Sequence, residues 1–99
     1  MEKKNYTPKP ADTSNVTLPA ELMELAEVIS ENVHEVWAVN RLKEGWKYGD
    51  VRDDIKRETP CLIPYSQLPE EEKAYDRNTA FGTLKLILSL GFDIVKKEK

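Results

Sequence analysis

Apolar residues recur along positions 19–43 at Leu22, Leu25, Ala26, Ile29, Val33, Val36 and Trp37. The steps are those of an α-helix, so the pattern predicts one long amphipathic helix over about 19–43. Thr17 and Pro19 mark its start, and Gly45 suits its end. Glu21, Glu24 and Glu27 concentrate acid in the early turns, where the helix dipole favours it. Leu42 extends the stripe, and so long a helix in so small a chain allows a kink near 38–40. A second stripe, Ala80, Phe81, Leu84, Ile87 and Leu88, predicts a helix over about 77–90 that Gly91 ends, with Phe92 and Ile94 packing back. Pro69 and the acids Glu70, Glu71 and Glu72 predict a separate short turn of helix that stops near Tyr75 and Asp76.

These two stripes are the long apolar faces, and each needs the other. Leu22, Leu25, Ile29, Val33 and Trp37 are expected to pack against Phe81, Leu84, Ile87 and Leu88. Between the helices, Gly45-Trp46-Lys47-Tyr48-Gly49 reads as a tight connection with a short extended piece. Pro60 and Pro64 bracket the apolar run Cys61-Leu62-Ile63, so any strand there is short or at an edge. Ahead of the first helix, Pro8 and Pro10 favour extended backbone, while Val16 and Leu18 are apolar enough to lie against the domain. The expected fold is mainly α: two principal helices, a short extra helical turn and short extended segments. Residues 1–5 are expected to be a flexible N-terminus, 6–94 one domain, and 95–99 a disordered tail.

Composition adjusts this picture. A chain of 99 residues has room for one core. At 39% hydrophobic and 33% charged, that core is lean. The net charge of −3 provides no basic field to displace counterions from a phosphate backbone, so general nucleic-acid binding is not expected. The single cysteine, Cys61, forms no internal disulfide and fits a reducing compartment. The polar opening carries no apolar signal segment, and no apolar run approaches ~18 residues, so membrane insertion is not expected and the location is cytoplasmic.

Candidate chemistry is sparse. His34-Glu35 begins like a zinc-protease motif, but His34 is the only histidine and the second one is missing. Cys61 reads as a packed thiol, and Asp50, Asp53 and Asp54 as a solvated acidic turn without the ligand spacing of a calcium loop. No glycine-rich phosphate loop is present. No enzyme, metal or cofactor is therefore expected. Lys56-Arg57-Glu58-Thr59 loosely resembles a basophilic kinase site, but Pro60 follows it and no phosphorylation of Thr59 is expected. What remains is a concentration of aromatic and arginine residues, from which Arg41, Trp46, Tyr48, Tyr65 and Arg77 are the candidate binding residues. They read either as core with an amphipathic rim or as a recognition surface, since Trp, Tyr and Arg supply stacking and bidentate hydrogen bonds. Trp46 and Tyr48, two apart, share a face in extended backbone, and Arg41 overhangs it from one turn before Gly45.

The same residues carry a likeness. The arm from Tyr6 to Pro19, the spacing of His34 and Trp37, the run Arg41-Leu42 to Gly45-Trp46 with Tyr48-Gly49, Pro64-Tyr65 with Leu68, Glu72-Lys73 leading to Tyr75-Asp76-Arg77, and the closing Leu84, Ile87, Leu88, Gly91 and Phe92 resemble the RyR repeat of ryanodine receptor calcium channels. The likeness implies a mostly helical unit of about this length, here a stand-alone single repeat of the prokaryotic or viral type. In the channels the repeats come in tandem pairs on the cytoplasmic assembly, and the loop joining a pair can carry phosphorylation sites. A single repeat without pore or joining loop implies a binding module. Two classes of partner follow: a protein, often a second copy of the chain, or a nucleotide-like small ligand held by the aromatic and arginine cluster.

Overall fold

A computed structural model describes residues 5–98. Two helices, α1 (Ala20–Lys43) and α2 (Glu70–Ser89), form the body. Both begin after a proline whose carbonyl accepts the first helical N–H groups: Pro19 from Leu22 and Met23, Pro69 from Glu72 and Lys73. Both end on a glycine. Gly45 (φ 91°) donates its N–H to Leu42 while Trp46 donates to Arg41, and Gly91 (φ 94°) and Phe92 repeat the pattern onto Leu88 and Ile87. This paired closure requires a left-handed residue, which only glycine adopts at little cost.

α2 is one continuous helix, not the short turn and separate helix expected from the sequence. The polar stretch from Tyr75 to Thr79 hides the periodicity, but it contains no proline or glycine to break the ladder. The extra turn lies earlier, as a 3-10 turn over Tyr65–Gln67 that helps to bury Tyr65 and Leu68. α1 runs without a break through residues 38–40.

The core comprises Leu18, Leu22, Ala26, Ala80 and Leu84, with Ile29, Phe81, Leu88 and Ile94 packed against it. Ala26 and Ala80 are both fully buried, which lets the two helices approach closely. The buried row of α1 is Leu22, Ala26, Ser30 and His34, each four residues on. This is rotated from the expected stripe: Leu25 is 38% exposed and Val36 52% exposed, so neither belongs to the core. The expected stripe merged two faces of one helix. Ser30 is tolerated inside because its hydroxyl donates to the Ala26 carbonyl at 2.7 Å.

Between the helices, two-residue strands β1 (Lys47–Tyr48) and β2 (Glu58–Thr59) pair in parallel, Lys47 opposite Glu58. Gly49 permits the approach, since a Cβ there would lie 2.6 Å from that of Glu58. Asp53 and Glu58 exchange both backbone hydrogen bonds across the intervening turn, and the Asp53 carboxylate accepts from the N–H groups of Ile55 and Lys56. Arg57, at φ 57°, donates from its guanidinium to the Glu44 carbonyl at the end of α1. No described helix is long and apolar enough to cross a membrane.

Candidate functional site

The five candidate residues divide between two places. Arg41 lies over Trp46 at 5.5 Å, as the sequence reading anticipated, and also over Trp37 at 5.7 Å. Arg52 approaches Trp46 as well, at 5.5 Å. Trp46 is thus attended by two guanidinium groups rather than left as an open platform. Arg41 also donates to Glu44 at 2.8 Å. Tyr48 stands on β1, half exposed, and its hydroxyl donates to Asp50 at 2.8 Å. The glycines flanking this segment serve the fold: Gly45 closes α1 and Gly49 lets the strands meet.

Tyr65 and Arg77 belong to a different group, on the contact between the helices. Tyr65 is buried, and its hydroxyl lies 3.3 Å from the Glu27 carboxylate as donor. Arg77 grips the same carboxylate with Nε at 2.7 Å and Nη2 at 3.2 Å, and reaches Glu70 with Nη1 at 2.9 Å. Hydrogen bonds from Arg77 hold the Glu27 carboxyl below the usual glutamate value, and burial opposes them. This pair ties α1 to α2, so Arg77 is already matched by carboxylates.

A cleft of about 400 Å³ opens beside both groups. α1 supplies His34 and Trp37, the connection supplies Arg52 and Thr59 to Cys61, Leu68 adds an apolar patch, and the first turns of α2 supply Glu72, Tyr75 and Asp76. His34 is buried, donates from Nε2 to the Ile63 carbonyl at 2.7 Å, and stacks on Trp37 with centroids 5.4 Å apart. Tyr65 lies behind it, 6.2 Å from the His34 ring. Burial pushes the Asp76 carboxyl up from its ordinary value, the nearby His34 pulls it down, and Glu72 adds to the rise. Burial, then the charge of Glu72, raises the Cys61 thiol, which stays protonated at neutral pH. Among the described residues, no group of His, Cys, Asp and Glu has the geometry to hold a metal ion.

None of Arg41, Trp46, Tyr48, Tyr65 and Arg77 lines this cleft. The residues that do, apart from Trp37 and Tyr75 of the wider aromatic and arginine concentration, were assigned no binding role from the sequence. Two signals were present: Ser30 and His34 continue the four-residue row of Leu22 and Ala26, and Glu72 and Asp76 are four apart on one helix. A polar continuation of a core row marks the point where the interior opens onto a cleft. Comparison with known families finds a match over residues 6–96 to a family model described as RyR domain.

Proposed function

From a chain that belongs to the RyR domain family, we propose a non-catalytic binding module that pairs with a second copy of itself through the outer face of α1. The observation that carries this is a second apolar stripe on α1, turned away from α2. Val28, Val36 and Val39 are each at least half exposed, and Leu25 is 38% exposed. Such a stripe is unusual on a protein with no partner.

The order of residues on this face favours a two-fold antiparallel pair. The positions are symmetric about Asn32: Val28 and Val36 lie four residues to either side, Leu25 and Val39 seven, Glu21 and Lys43 eleven. In an antiparallel pair with Asn32 on the axis, Leu25 meets Val39 of the second copy, Val28 meets Val36, and Glu21 meets Lys43. Antiparallel contact thus sets apolar side chains together along the middle and opposite charges at both ends of a helix face about 33 Å long. The two Asn32 amides can hydrogen-bond each other, a device that sets register in helix pairs.

Sedimentation velocity over a range of concentrations tests the pairing. The parent chain is expected to pass from monomer to dimer. Asn32→Asp, which places two carboxylates on the axis, is expected to remain monomeric with an unchanged unfolding midpoint. A parent chain that stays monomeric to millimolar concentration would sink the proposal.

A second reading is a sensor of a nucleotide-like ligand. The cleft supports it by size, since small-molecule sites occupy roughly 300–1,000 Å³. Against a phosphate stands the pairing of Arg41, Arg52 and Arg77 with carboxylates. Titration with AMP while following Trp fluorescence would give a saturable change if this reading holds, and none if it does not.

A further inference from the structure

The ionisable lining of the cleft is unbalanced. Arg52 is its cation, and that guanidinium is paired with Asp54 at 2.8 Å. Glu72 and Asp76, one turn apart on α2, have no ion-pair partner among the described residues. His34 adds an independent observation. It is only 4% exposed, and its Nε2 must be the donor to the Ile63 carbonyl, because a carbonyl oxygen only accepts. In the neutral ring Nδ1 is then a lone-pair acceptor. No hydrogen bond to that atom is found among the described residues, and His34 lines the cleft.

Two carboxylates and a buried imidazole therefore line one space, beside the rings of Trp37 and Tyr75. We propose that this cleft binds an organic cation, a primary ammonium or guanidinium group on a short apolar stem. The N–H donors go to Glu72, Asp76 and Nδ1 of His34, and the stem lies against Trp37 and Tyr75. Each feature answers one part of such a ligand: acceptors for the donors, negative charge for the cation, and aromatic surface for the stem. The inference rests on the cleft being a ligand site and assigns the charge of what enters it. The same group can arrive as a free amine or as an arginine or lysine side chain of a peptide.

Calorimetric titration with n-butylguanidine, its uncharged analogue n-butylurea, and a blocked Gly-Arg-Gly peptide tests this. Saturable binding of n-butylguanidine is expected, with none for the urea. Glu72→Gln and Asp76→Asn should each weaken binding by about tenfold or more, as loss of a charged hydrogen-bond partner does. Tighter binding of the peptide than of n-butylguanidine assigns the source to a side chain, and weaker binding assigns it to a free cation. Unfolding curves of both variants confirm that the fold is intact. No saturable heat with n-butylguanidine up to ~10 mM, or equal affinity in the two variants, overturns the inference. AMP binding in that case would leave the cleft a ligand site of the opposite preference, whereas no binding of either would remove the ligand site altogether.

Discussion

Gly91 and Gly82 sit in the same helical region and predict opposite responses to alanine. Gly91 holds φ at 94° with open space where a Cβ would go, so Gly91→Ala meets only the backbone cost of the left-handed conformation. That cost is about 1 kcal/mol. Gly82 lies inside α2 with nothing near it, so Gly82→Ala should stabilise by about 0.5–1 kcal/mol through helix propensity. Denaturant unfolding of both variants reads the two signs directly. Glu27 carries a pH dependence of defined sign. Hydrogen bonds from Arg77 lower its carboxyl in the folded state, so its contribution is fully present above the ordinary value of 4.5 and is lost as pH falls below it. Between pH 7 and pH 3 the parent is therefore expected to lose more stability than Glu27→Gln, measured by urea unfolding at each pH. Equal losses would show that the pair with Arg77 contributes nothing. Thr59 is also decided locally. It is 5% exposed, and its hydroxyl accepts the Cys61 N–H at 3.2 Å, so a kinase reaches it only after β2 opens. Incubation with basophilic kinases should leave the folded chain unmodified by mass spectrometry.

α1 shows what periodicity can and cannot separate. Its span, its proline start and its glycine stop were all legible, because each depends on local backbone chemistry. Which apolar residues face inward was not, because Leu25 and Val36 fit a helical spacing with either face. The structure distinguishes them: Leu22 and Leu84 are buried, and Leu25 is on the outer stripe. Leu22→Ala and Leu84→Ala should each cost about 2–5 kcal/mol, and Leu25→Ala under about 1 kcal/mol. A large loss at Leu25 would return it to the core. In α2 the continuity across Tyr75 to Thr79 was hidden by polar side chains that a buried helix would not carry but a cleft-lining helix does. Of the candidate site, Arg41 over Trp46 was legible because both lie near one helix end. The cleft was not, because Cys61, Glu72 and Asp76 come from segments that only tertiary packing brings to His34.

The molecule as a whole uses α1 twice. Its inner face meets α2 through Leu22 and Ala26 and holds the fold together, while its outer face presents Leu25, Val28, Val36 and Val39 to solvent. A groove of about 620 Å³ lies beside Leu25 and Val28, with Ile94 and Val95 on its far side, so the first half of the outer face has depth as well as apolar surface. The cleft opens from the opposite half of the helix, at His34 and Trp37. The proposed self-association and the proposed ligand binding therefore draw on different faces and can be separated by substitution. The pairing about Asn32 is tested most directly by cross-linking. In a Cys61→Ser background, a cysteine replacing Asn32 lies on the proposed axis beside its own copy, within the short reach a disulfide requires. A cysteine replacing Glu31 is turned well away from that axis. Under mild oxidation the Asn32→Cys chain is predicted to form a covalent dimer quickly and at low concentration, while Glu31→Cys does not. Equal slow cross-linking of the two, or faster cross-linking through position 31, would contradict the account.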